Sequence, residues 1–74
     1  MAEIPVKSEV AGVVAQILVS PRDEVTADSE IVIVEAMKME LPVLASAAGT
    51  VRAVLVEVGD NVGEGQTVAI LAVS

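Results

Sequence analysis

The chain has 74 residues, a formal net charge of −7, and neither Cys nor His. It is long enough for one domain, residues 1–74, and disulfide staples and the Cys/His ligand sets of structural zinc are excluded. Four basic residues against eleven acidic ones cannot neutralise a run of phosphates, which argues against nucleic acid, and the same balance disfavours an anionic membrane surface.

The first residues, Met1-Ala2-Glu3-Ile4-Pro5, lack the basic start and apolar stretch of a signal peptide and the Arg-rich character of a transit peptide. No apolar run approaches the length of a membrane span. The expectation is a cytoplasmic protein whose partners present basic or apolar surfaces.

Sixteen of the 74 residues are Val and none is aromatic. Branched side chains are stiff at Cβ and pack well on a pleated surface, so strands are favoured and the core is thin. In chain order, an apolar run spans 13–19 and a turn follows at Ser20-Pro21-Arg22-Asp23. A short segment around Val25 leads to a turn at Ala27-Asp28-Ser29, and a second apolar run covers 30–36. The same order then recurs. A run spans 50–58, with turns at Gly59-Asp60-Asn61 and Gly63-Glu64-Gly65 on either side of Val62, and a last run covers 67–73. Pro, Gly, Asp and Asn are the residues that turns require. Many short strands with evenly spaced turns predict an all-β sandwich or barrel.

The recurrence is an internal repeat. Shifting the sequence by 37 residues sets 11–36 on 48–73 with eight identities. They include Ala11-Gly12 on Ala48-Gly49, Leu18-Val19 on Leu55-Val56, and Asp23 on Asp60. Two units are too few for a solenoid. Two similar halves around a pseudo-two-fold axis sharing one core is the expected arrangement.

Between the units, Ile31 to Leu44 runs without Gly, Asn or Asp. As one strand at roughly 3.3 Å per residue it would reach about 45 Å. A compact domain of this size has a diameter of about 30 Å. The chain must therefore double back near its middle, at Ala36 to Met39, where Glu35, Lys38 and Glu40 suit an exposed tip. Under the 37-residue shift Lys38 corresponds to the chain ends, near positions 1 and 75. A two-fold would then put the tip opposite the termini.

The stretch Glu35-Ala36-Met37-Lys38-Met39-Glu40 resembles the attachment site of biotinyl domains, the carrier units of biotin-dependent carboxylases. Downstream, Ala48-Gly49-Thr50-Val51 and Val58-Gly59-Asp60-Asn61-Val62-Gly63-Glu64-Gly65-Gln66 resemble later turn motifs of the same family, so the likeness covers the whole chain. It implies a flattened barrel of two four-stranded antiparallel sheets with the modified Lys on a tight hairpin. The segment from Val19 to Glu30 is too short for the protruding thumb of some carriers, so the resemblance is to the thumbless, minimal type. Arg22 stands where family members commonly have Gly, and Asp28 where the second half has Gly65. Both departures bear on the shape of the first-half turns.

The resemblance assigns Lys38 as the point of covalent biotin attachment. Ala36, Met37 and Met39 form the recognition motif around it, and Glu35 and Glu40 are candidates for recognition by the ligase. It implies three partners: a biotin protein ligase, a biotin carboxylase and a carboxyltransferase. A Lys side chain offers a long flexible stem ending in an amine, and an amine with an ordinary pKa of about 10.4 is almost wholly protonated near neutral pH. Activation must then come from the ligase. Lys7, without such context, serves as the comparison. Met37 and Met39, flanking a charged tip, are expected to face a partner rather than the core.

A lipoyl carrier of a 2-oxo acid dehydrogenase, which shares the fold, is the neighbouring alternative, but such domains typically lack the paired Met. An unmodified interaction module is a second. A self-contained enzyme is disfavoured. There is no His or Cys, no phosphate-cradling Gly loop, no metal-ligand set and no evident acid pair in a pocket.

Overall fold

The computed structural model describes residues 2–73. Eight strands form in chain order: β1 (Ala2–Lys7), β2 (Gly12–Ile17), β3 (Glu24–Val25), β4 (Glu30–Ala36), β5 (Met39–Leu44), β6 (Gly49–Val54), β7 (Asn61–Val62) and β8 (Thr67–Val73). They make two four-stranded antiparallel sheets, ordered β1-β8-β6-β3 and β5-β4-β2-β7. No described residue is helical, so no helix is long and apolar enough to cross a membrane.

The long strands alternate inward and outward side chains over most of their length, as a sheet with one buried face requires. The exception is that β4 buries Ile31 and Val32 in succession and β8 buries Val68 and Ala69, an exception the two halves share. The inward residues Val6, Val14, Ile31, Val34, Val51, Val68 and Leu71 are almost fully buried and form one core between the sheets. No ladder joins the two sheets among the described residues, so the body is an open sandwich and not the closed barrel that the resemblance allowed. Strands β1, β3, β5 and β7 are its edges. Pro5 and Pro42 lie on β1 and β5, where a residue that cannot donate blunts an edge against further pairing.

The two-fold is visible in the pairing. Val14 faces Val34 and Val51 faces Leu71; Ala36 faces Met39 and Val73 faces Ala2. Each partner pair maps onto the other by 37 residues. The irregularities repeat as well, between Val14 and Gln16 in one sheet and between Val51 and Ala53 in the other. So do the turns. The Asp23 carboxylate accepts from the Ser20 amide at 2.9 Å, and the Asp60 carboxylate accepts from the Glu57 amide at 2.8 Å. The Ser29 hydroxyl accepts from the Thr26 amide at 3.0 Å, and the Gln66 side chain accepts from the Gly63 amide at 2.9 Å.

Two expectations are corrected. The runs 13–19 and 50–58 end early, at Ile17 and Val54. Beyond them the chain leaves the ladder for the Asp23 and Asp60 turns, after one last bond each from the amides of Leu18 and Leu55 to Ile31 and Val68. The second correction concerns Arg22 and Asp28, which do not alter the first-half turns. Arg22 (φ 81) and Asp28 (φ 72) hold the left-handed backbone of Gly59 (φ 96) and Gly65 (φ 82).

Connectivity fixes which ends lie together. Strand β7 pairs with Gly12 and Val13, at the Ala36 end of the β5-β4-β2-β7 sheet. Five residues on, β8 starts at Thr67 and runs away from that end to Val73, which pairs with Ala2. The hairpin Ala36–Met39 and the Ala2–Val73 pair are therefore at opposite ends of the sandwich. Residue 1, which the expectation names, and residue 74, next to its position 75, lie outside the described residues.

Candidate functional site

The hairpin joining β4 to β5 has a two-residue loop, Met37 and Lys38, closed by the Ala36–Met39 pair. Both loop residues have positive φ, 53 and 65. This is the combination that the twist of a two-residue hairpin demands, and it usually selects Asn-Gly. The fold-back expected from chain length is therefore present at the expected residues, without its usual sequence. A left-handed conformation costs an ordinary residue roughly 1–2 kcal/mol. Residues held that way cluster at functional sites.

All six residues of the motif are brought together by this one hairpin. Met37 is 95 % exposed and Met39 60 % exposed. Lys38, Glu35 and Glu40 are exposed and Ala36 is half-buried. Among the described residues the only ion pair is Arg52 Nε to Glu3, at 3.0 Å, so Lys38 is held by no carboxylate. Lys7, the comparison residue, lies on β1 in the other sheet. The Lys38 amine thus stands exposed on a two-residue turn with no carboxylate paired to it, and the residues present fit a group joined to it by an amide.

Glu35 and Glu40 face each other across the ladder, one residue from the loop. Their 37-residue equivalents are Ala72 and Glu3, and there Glu3 is compensated by Arg52. Like charges set directly opposite in a sheet are unfavourable. The fold tolerates this pair at the hairpin end and avoids it at the other.

An open groove of about 730 Å³ lies between β1 and β5, along Pro5, Val6, Pro42 and Val43. It contains none of residues 35–40 and is not part of this site. Among the described residues no cluster of three or more acidic side chains could hold a metal ion.

Gly12 serves the backbone geometry beside the hairpin. A Cβ there would meet the Glu35 carbonyl oxygen, and Val34 Cγ1 at 2.8 Å. Gly12 lets β2 lie close against the β4 arm of the hairpin. The repeat extends cyclically beyond 11–36 and 48–73 and makes β1 the equivalent of β5, an equivalence of strands not drawn from the sequence. Pro5/Pro42 and Val6/Val43 were its available signals.

The biotin/lipoyl family model, described as "Biotin-requiring enzyme", matches residues 6–71. The chain belongs to this family of attachment domains. In structure it is similar to the urea carboxylase of Kluyveromyces lactis, with TM-score 0.92 and 32 % identity over 97 % of this chain. It is also similar to a single-chain, multi-domain long-chain acyl-CoA carboxylase, with TM-score 0.83 and 29 % identity over 92 % of this chain. The chain spans only 6 % and 7 % of those two chains. No curated protein matches it in sequence.

Proposed function

We propose that this chain is a single biotin carrier domain, biotinylated on Lys38, and that it shuttles a carboxyl group between a biotin carboxylase and a carboxyltransferase without catalysing a step itself. The observation that carries the reading is the hairpin end. One unpaired amine stands at the tip of a rigid sandwich, between two exposed Met side chains, in a chain of the attachment family. The likeness to two carboxylases supports biotin in particular, and so does the paired Met flanking Lys38.

The chain's own part is to present and to hold. In the acylation step the deprotonated Lys38 amine attacks the carbonyl carbon of biotinyl adenylate on the ligase. A C–N bond forms, the C–O bond to AMP breaks, and the amine proton leaves to solvent. Lys38 thereby loses its positive charge and becomes a long neutral arm. The bound group supplies the carboxyl-carrying chemistry. The rigid hairpin keeps that group at high effective concentration near two active sites in turn. Cytoplasmic location fits the same reading.

The discriminating experiment offers the purified domain to a biotin ligase with biotin and ATP, and in parallel to a lipoate ligase with lipoate and ATP. Retention on avidin after the first reaction, with no lipoyl mass increment after the second, is the expected result. A lipoyl increment without biotinylation would overturn the proposal in favour of the lipoyl reading.

A further inference from the structure

We infer that the surface offered to the enzyme that acylates Lys38 continues past the hairpin. It crosses the outer face of the β5-β4-β2-β7 sheet to Val13 and the turn Glu57–Asp60, and the enzyme meets it with an apolar patch rimmed by basic side chains. The inference rests on the reading of Lys38 as the acylated residue and adds the footprint around it.

The pseudo-two-fold provides an internal control. Positions 37 residues apart share strand pairing, turn hydrogen bonds and backbone angles. The fold therefore asks the same of both members of each pair. Where exposed members differ in chemistry, the fold does not require the difference.

The exposed large apolar side chains are Val13, Leu18, Met37, Met39, Leu44, Leu55 and Val58. Leu18 and Leu55 are equivalents, so they cancel. Leu44 borders the groove between β1 and β5. The remaining four lie on the hairpin or beside it. Val13 is opposite Glu35 on β2. Val58 sits in the turn whose neighbours Gly59 and Asp60 bond the backbone of Val14. At the other end of the sandwich the equivalents of Val13, Met39 and Val58 are Thr50, Ala2 and Pro21. Exposed apolar surface gathered at one end of a small domain marks an interaction site.

Charge is distributed in the same sense. Both arginines belong to the opposite end, where Arg52 pairs with Glu3 and Arg22 bonds the Val51 carbonyl through its amide. Their equivalents beside the hairpin are Ala15 and Gly59, and Ser20 becomes Glu57. Glu35 on β4 and Glu57 in the turn before β7 are acidic where their equivalents are Ala72 and Ser20, whereas Glu40 and Asp60 repeat Glu3 and Asp23; no arginine stands among these four at the hairpin end. Across that sheet, Glu40, Glu35, Val13 and Asn61 form one row, about 14 Å wide over three strand spacings. An apolar centre with an acidic rim is complementary to an apolar patch with a basic one, which guides encounter and fixes orientation.

The test is the initial rate of biotinylation by a biotin protein ligase, over a range of domain concentrations and at two salt concentrations. Val13→Thr and Glu57→Ser copy the residues that equivalent positions already hold, so the fold accommodates them. Thr50→Val and Ser20→Glu at the opposite end are the controls. The expected result is a KM raised about five-fold by each of the first two, some 1 kcal/mol, with kcat unchanged and the Glu57 effect shrinking at high salt. The controls should stay at the wild-type KM. Glu57→Gln repeats the charge test if Glu57→Ser is poorly folded. Normal acylation of the wild type, with Val13→Thr and Glu57→Gln no different from the controls, would overturn the footprint alone. A wild-type domain that is not acylated at all would overturn the reading of Lys38 and the footprint with it.

Discussion

Arg22 and Gly59 hold the same left-handed backbone, φ 81 and 96, at equivalent corners of the two halves. The Arg22 amide bonds the Val51 carbonyl and the Gly59 amide bonds the Val14 carbonyl, at 2.7 and 2.8 Å. The corner is a demand of the fold, and only one half meets it with the residue that has no Cβ to strain. Arg22→Gly should therefore stabilise the domain. Relief of about 1–2 kcal/mol of strain, less the entropy cost of Gly, leaves a gain of about 0.5–1 kcal/mol. Urea denaturation would measure it, and a lower midpoint would contradict the account.

The reverse holds where a glycine sits under a neighbouring strand. Gly12→Ala should destabilise by about 1–3 kcal/mol, the range for forcing an atom into packed structure, because its Cβ collides with backbone and with Val34. Gly49→Ala, facing Ala72 and Val73 in the same way, should cost a similar amount. Unequal losses in thermal melts would show that the two halves do not share the constraint.

The core is thin and entirely aliphatic, so it has no aromatic side chain to absorb a deletion. Leu71 is fully buried at the equivalent of Val34. Leu71→Ala should cost about 2–5 kcal/mol, a large share of the total stability of a domain of this size. A melting temperature unchanged from the wild type would contradict the packing described.

At the hairpin, stability and function are expected to part. Met37→Asn places a residue tolerant of positive φ in the first loop position and should raise stability by up to about 1 kcal/mol. It also removes a nearly fully exposed side chain from beside Lys38 and should slow acylation. Paired melting and ligase assays test this; faster acylation by the stabilised variant would argue against a recognition role for Met37.

Much of this molecule was legible before its structure. Strands β4 and β8 fall at the residues expected, because their valine-rich runs are bounded by turn residues on one side and by the fold-back or chain end on the other. The hairpin was located by length and by the charges of Glu35, Lys38 and Glu40. Its left-handed loop was not, because Met-Lys carries none of the Asn-Gly chemistry that announces such a turn. The equivalence of β1 and β5 escaped a forward comparison, since each lies on the far flank of its own unit. The bulges at Ala15 and Arg52 leave no mark in composition, and the open edges depend on pairing that no single strand encodes. The site motif was readable as a unit because all six residues lie on one hairpin. Val13 and Glu57 were not, because sheet pairing and not sequence proximity brings them beside it.

The most direct measurement is the intact mass of the domain after co-expression with a biotin protein ligase, beside Lys38→Arg. The account predicts one biotinyl increment on the wild type and none on the variant, with both equally folded because Lys38 makes no ion pair. An increment that persists in Lys38→Arg, or a folded wild type that acquires none, would contradict it.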